Sequence, residues 1–336
     1  MNETLQLLEA VANSNPEALL ANGGAESVLK LLESAKASGK SDMVAVCMRS
    51  LEKINKVPGG SEKLAELGAI DSLMDSIQTV YATPEEAEAI LLPCMNMLER
   101  MCRQPAIAEQ IQGQDGMMKI CAALDRYPAL EKVAKSGGRV LTKLAAGNVE
   151  DLIKRMETAS PEEKAFLSQL LANLALEDEN VEQIVEAGGI SSLITLLSSS
   201  GGKALSASVR AITRIASQHE NVDKLLQGGV VESLISALAA NPGDEEIMSA
   251  VAPCLVQLMH SPEGLRRIVE AGGIDAVLSS LMDKLDSESN VEQMMKLFEH
   301  LGTTDYDIEQ LVYKGAVKSV IDGMYAFPKN KDIQLN

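Results

Sequence analysis

Residues 186–197 read EAGGISSLITLL, and the same phrase returns as QGGVVESLISAL at 227–238, EAGGIDAVLSSL at 270–281, ELGAIDSLMDSI at 66–77, YKGAVKSVIDGM at 313–324 and NGGAESVLKLLE at 22–33. Weaker copies begin at Asp115 (DGMMKICAAL) and Gly147 (GNVEDLIKRM). The column common to all eight holds Gly23, Gly68, Asp115, Gly147, Gly188, Gly229, Gly272 and Gly315, at steps of 45, 47, 32, 41, 41, 43 and 43 residues. A repeat of this length decides the fold class before any single motif does. Each unit is too small to bury its own apolar face, so neighbouring units must stack and share one continuous core.

Upstream of most anchors lies a short amphipathic piece, such as ENVEQIVEA (179–187), ENVDKLLQ (220–227) or PEGLRRIVEA (262–271). Downstream, after a polar loop, comes a longer one: SASVRAITRIASQ (206–218), MSAVAPCLVQLMH (248–260) or AVCMRSLEKINKV (45–57). The spacing predicts a short helix, a tight glycine turn, a second helix, a loop and a third helix in every repeat. Ending one helix and starting the next within two residues requires a left-handed backbone position, which glycine adopts at least cost. The chain has no Trp and only three Phe, and nowhere do β-branched residues alternate as a half-buried strand requires.

A three-helix repeat with E-A-G-G-I/V-x-x-L at its first turn resembles the armadillo repeat, and the likeness covers essentially the whole chain. HEAT repeats are two-helix units that usually lack the Gly-Gly turn. The resemblance implies an all-α, right-handed armadillo solenoid of about seven to eight repeats, one of them degenerate, whose third helices line a concave groove.

Armadillo proteins of the nuclear-import adaptor type carry W-x-x-x-N on the third helix. Fifteen residues before the anchors stand Lys53, Arg100, Asn173, Arg214, Gln257 and His300, with Lys143 at the irregular repeat. Four residues earlier, on the same helical face, stand Arg49, Asn96, Arg139, Gln169, Arg210, Pro253 and Lys296. None of the second set is Trp and only Asn173 keeps the Asn, which argues against an import adaptor. Of these fourteen positions eight are Lys or Arg and none is Asp or Glu. In a chain with 30 Lys and Arg, 48 Asp and Glu and a net charge of −18, such a strip implies that charge is sorted, with an exposed basic strip in the groove. One reading is an anionic ligand that relieves the repulsion between like charges; the other is that these cations pair with carboxylates of the solenoid or reach into water. Catenin-like armadillo proteins hold long acidic segments in a basic groove, and this strip is similar in that respect.

Between Lys143 and Gly147 the chain is eleven residues short, about one first helix, so the third helix near Ala146 should run almost directly into NVEDLIKRMETA. The loss of a packing element is expected to bend or step the solenoid there, giving an N-terminal set of repeats over 1–146 and a C-terminal set over 147–336. After VKSVIDGMYA (317–326) the chain reads FPKNKDIQLN, a third helix hardly begun. Its last repeat is expected to leave an apolar face open, covered by more chain or by a neighbour.

The acidic balance speaks against a general nucleic-acid binder, which needs cations to displace counterions. The longest apolar stretch, AILLPCMNML at 89–98, is too short to span a bilayer, and MNETLQLLEAVANSNP lacks the form of a secretory signal. The expected location is the cytoplasm, with the cytoskeleton as the alternative. Five scattered cysteines read as free thiols. His219, His260 and His300 lie about 40 residues apart, far from any shared metal spacing, and no phosphate loop or nucleophile elbow occurs. The expectation is a non-enzymatic scaffold with no cofactor or metal, whose partner is a protein presenting an acidic extended segment. The alternative is a structural component of a microtubule or axonemal assembly.

Overall fold

The computed structural model describes residues 3–145, 149–199, 201–241, 244–281, 288–301, 305–313 and 315–335. They fold into α-helices, with no strand among the described residues. A lone third helix, α1 (Glu3–Ser14), comes first. Three complete repeats follow: α2 (Pro16–Ala21), α3 (Gly24–Ala37) and α4 (Ser41–Lys56); α5 (Gly60–Glu66), α6 (Ala69–Gln78) and α7 (Pro84–Met101); α8 (Pro105–Gly113), α9 (Gly116–Arg126) and α10 (Glu131–Ala145). Next is a two-helix repeat, α11 (Val149–Thr158) and α12 (Pro161–Leu174). Three full repeats then run through α13 (Asp178–Glu186), α14 (Gly189–Ser199) and α15 (Gly202–Ala216); α16 (His219–Gln227), α17 (Val230–Ala240) and α18 (Glu245–Met259); α19 (Pro262–Glu270), α20 (Gly273–Leu281) and α21 (Glu288–Leu301). The last repeat holds α22 (Asp305–Tyr313), α23 (Ala316–Ala326) and the five-residue α24 (Lys331–Leu335).

The anchor column does what the repeat requires. Gly23, Gly68, Gly188, Gly229, Gly272 and Gly315 all take φ between 74° and 88°, and Asp115 at 57° is the one described non-glycine residue with positive φ. Gly147 lies outside the described residues. Each turn separates the second helix from the first, and the third helix begins at start signals of its own. Thr83, Ser160 and Asp244 accept hydrogen bonds from the backbone N–H groups of Glu86, Glu163 and Ile247, capping α7, α12 and α18. Pro84 and Pro161 occupy the first helical positions of α7 and α12, where a missing N–H costs nothing.

The chain forms two compact units, Met1–Asn148 and Val149–Asn336. In the first, third helices α1, α4, α7 and α10 pack in succession, and second helices α3, α6 and α9 form the layer beside them. In the second, α12, α15, α18, α21 and α24 pack in succession beside α11, α14, α17 and α20. Only three residues separate α10 from α11, leaving no room for a first helix, and α11 packs on α12, α13 and α14 as a second helix does.

The core lies between these layers. Leu51, Ile54, Ile70 and Leu73 are buried in the first unit, and Leu170, Ile212, Leu234 and Leu255 in the second; each contributes about 1.5–3 kcal/mol on leaving water. Buried polar groups tie rungs together. Asn55 donates its Nδ2 to the Met97 carbonyl at 3.2 Å while its Oδ1 accepts from Ser61 Oγ at 2.9 Å. Asn180 Nδ2 donates to the Leu174 carbonyl at 2.9 Å.

All five cysteines are buried free thiols. Burial pushes Cys47 up to about 11 and Cys94, Cys102 and Cys254 up to about 12, so almost no thiolate forms near neutrality. The native chain is therefore expected to react negligibly with a thiol reagent such as DTNB at pH 8 and to release five equivalents once unfolded in guanidinium. Rapid native labelling of any of these four would contradict the packing.

Candidate functional site: the third-helix strip

In the first unit the strip occupies α4, α7 and α10, and its cations are half-buried. Arg49 Nε donates to Glu9 Oε1 on α1 at 2.7 Å, and Arg139 Nε donates to Glu99 Oε2 on α7 at 3.0 Å. Between them Asn96 takes the arginine's place. Its Nδ2 donates to Glu52 Oε1 on α4 at 3.2 Å, and its Oδ1 accepts from Ser136 Oγ on α10 at 2.8 Å. Lys56 Nζ reaches the same Glu52 oxygen at 2.8 Å. Arg100 donates to the Lys56 carbonyl at 3.2 Å. Lys53 and Lys143 stand half-buried on α4 and α10.

A third column thus runs through the strip. Glu52 and Glu99 lie three residues past Arg49 and Asn96, and each faces the arginine or asparagine of the next rung. These carboxylates are shielded, with only 15% of the Glu52 side chain and 20% of the Glu99 side chain exposed. The two columns read from the sequence hold no acid, but the surface they belong to does. The strip of the first unit is a ladder of alternating charge in which Arg49 and Arg139 are already neutralised.

In the second unit the strip runs along α12, α15, α18 and α21. The residues in the carboxylate register are Ala172, Thr213 and Val256, with an acid returning only at Glu299. Gln169, Arg210, Arg214, Gln257 and Lys296 are half-buried rather than fully exposed. Gln257 Nε2 donates to the Ala216 carbonyl at 3.4 Å. One guanidinium nitrogen of Arg214 is shut away from solvent. Asn173 is 5% exposed, and its side-chain nitrogen has no hydrogen-bond acceptor among the described residues. His300 falls on α21 with a side chain outside the described residues. Packing of successive third helices covers the stems of these side chains, which is why they are less exposed than an isolated helix would leave them.

With the repeat and its third-helix ladder established, comparison with known proteins is decisive at family level. Residues 2–317 match the family model described as the GAC ARM domain. The chain belongs to the GAC ARM domain family. No curated protein matches it. Among solved structures, an engineered protein from the Northeast Structural Genomics Consortium is 22% identical, with 99% of this chain and 92% of that chain covered and a TM-score of 0.52. A designed armadillo repeat protein, YIII(Dq)4CqI, is 21% identical over 82% of this chain and 99% of that chain, with a TM-score of 0.40. The first of these likenesses concerns the fold alone.

Within this GAC ARM domain buried serine hydroxyls also tie successive rungs together. Ser208 Oγ donates to Ser168 Oγ at 3.2 Å, and Ser206 Oγ donates to Glu246 Oε1 at 2.6 Å, each across one repeat. His219 and His260 are exposed at helix ends of the GAC ARM fold. No three His, Cys, Asp or Glu side chains converge among the described residues in a way that would hold a metal. No described helix is long and apolar enough to cross a membrane.

Proposed function

We propose that this armadillo scaffold binds protein, and that the stretch of strip on α12, α15 and α18 holds an acidic extended segment. One observation carries the reading: the buried Asn173 side-chain nitrogen, a donor without an acceptor among the described residues, stands in the same column as Arg214 on the next rung. A buried donor left unmade costs about 1–3 kcal/mol. Turning the Asn173 amide outward would let a backbone carbonyl of an extended chain satisfy it, and carboxylate side chains of that chain would meet Arg210 and Arg214. With packed helices about 10 Å apart and an extended chain advancing about 3.3 Å per residue, a ligand should present one acidic side chain about every three residues.

Two strip arginines of the first unit supply the control. Replacing Arg210 and Arg214 with Gln should weaken binding of a fluorescent Asp/Glu-rich peptide about thirtyfold, the equivalent of about 2 kcal/mol. Replacing Arg49 and Arg139 with Gln should change it less than threefold, because they stand on α4 and α10, outside the proposed stretch. Affinity should also fall as salt rises, since partly exposed charges are screened over about 8 Å at physiological ionic strength. Unchanged affinity in the Arg210/Arg214 variant, or tighter binding of Lys/Arg-rich peptides, would refute the proposal.

A further inference from the structure

The rung formed by α18 differs from the rungs on either side of it. In the strip columns α15 carries Arg210 and Arg214 and α21 carries Lys296, whereas α18 carries Pro253 and Gln257 and so has no charge there. Pro253 lies inside the helix, which continues through it from Glu245 to Met259. Proline has no N–H. The carbonyl of Ser249, four residues back, therefore loses its helical donor, and the proline ring crowds that carbonyl away from the helix axis. Ser249 and Pro253 are one turn apart on the face that carries the strip. Ser249 is exposed and Pro253 half-buried, which puts the unmet acceptor on the strip side of the helix. A second proline inside a third helix, Pro93 of α7, is buried instead.

The two outer rungs of the α12, α15 and α18 stretch thus each hold one group suited to a peptide backbone. On α12 it is a donor, the Asn173 side-chain nitrogen. On α18 it is an acceptor, the Ser249 carbonyl. α12 packs on α15 and α15 on α18, so the two groups stand two rungs apart. At about 10 Å per rung and about 3.3 Å per residue, that distance is about six residues of extended chain. In such a chain the N–H and C=O of one residue point to the same side and those of the next residue to the other. An even separation therefore lets one carbonyl face Asn173 while an N–H about six residues away faces Ser249.

We propose that the Ser249 carbonyl, released by Pro253, accepts a backbone N–H of the bound segment and fixes the register of that segment along the strip. The inference rests on the acidic-segment reading above and adds an uncharged contact to it. Over α18 the segment is held by its backbone, and the residue there must carry an N–H, which excludes proline.

Anisotropy titration of the fluorescent Asp/Glu-rich peptide tests this. Pro253→Ala returns an N–H to the helix and gives the Ser249 carbonyl an internal partner. Its helical circular dichroism should be unchanged, and its affinity for the peptide should fall about tenfold, the scale of one hydrogen bond. Pro93→Ala, on α7 and outside the proposed stretch, should bind within about twofold of the unmodified chain. Alanine also removes the proline ring, so a set of peptides with one amide N–H at a time replaced by an ester oxygen isolates the hydrogen bond. One ester should weaken binding to the unmodified chain by about fivefold or more and binding to Pro253→Ala by less than about twofold. Unchanged affinity in Pro253→Ala, or ester losses that are the same in both chains at every position, would overturn the proposal. Where Arg210→Gln/Arg214→Gln still weakens binding in those titrations, the register contact alone falls and the acidic-segment reading stands. A chain that binds no acidic peptide, or binds it equally well with both arginines replaced, overturns the two together.

Discussion

Gly60→Ala and Gly264→Ala should each destabilise the chain by about 3 kcal/mol, the upper part of the range for overpacked sites. Glycine to alanine inside a helix ordinarily gains up to about 1 kcal/mol, so the expected sign is reversed, and the reason is a carbonyl. A Cβ on Gly60 would lie 2.1 Å from the Ile54 oxygen, and one on Gly264 2.1 Å from the Leu258 oxygen. Both oxygens belong to the last turn of the preceding third helix, and backbone cannot swing aside as a flexible side chain can. Both glycines lie eight residues before their anchors, in the column where Asn180 stands one repeat set away. Asn180 satisfies the corresponding carbonyl, that of Leu174, with its amide. Urea unfolding followed by circular dichroism measures the effect. A loss below about 0.5 kcal/mol, the usual scale of a neutral surface change, would show that the first helices are less tightly seated on the third helices than described.

The second large effect separates equivalent isoleucines. Ile235→Ala should cost about 3 kcal/mol, as buried isoleucine truncations do when the cavity cannot collapse, because Ile235 seats on the Gly273 turn. Ile321→Ala, in the same column on α23, should cost less than about 1 kcal/mol at concentrations where the chain is monomeric, since its side chain is largely hydrated already. The same urea titration reads both. Equal losses would mean that Ile321 is covered within a single chain.

The repeat was legible because its deciding residue is a backbone requirement. A left-handed turn admits few residue types, so the glycine column survives where apolar positions drift, and even Asp115, a weak match by sequence, takes the left-handed conformation. The missing first helix was legible as arithmetic between Lys143 and Gly147, and α11 packs accordingly. The charge balance of the strip was not. Columns four residues apart capture one helix face, but Glu52 and Glu99 reach the next rung from a position three residues past the first column, a relation that exists only once helices are stacked. Scanning every third-helix position for acids opposite Arg49 and Arg139 would have exposed it. The burial of Asn173 likewise depends on how closely neighbouring helices approach, which no single helix encodes.

The polar ties across rungs also bear on how the chain orders itself. Those between Glu9 and Arg49, Glu52 and Asn96, Asn55 and Met97, Glu99 and Arg139, and Ser168 and Ser208 all join residues 40 to 44 apart. Every such contact closes a loop of nearly the same length, and the entropy of closing it depends only weakly on that length. The contact order of a unit is therefore fixed by the repeat and not by the number of repeats. Adding a rung lengthens the array without lengthening any loop that must close, and a folding nucleus can form at whichever rung orders first and spread to its neighbours.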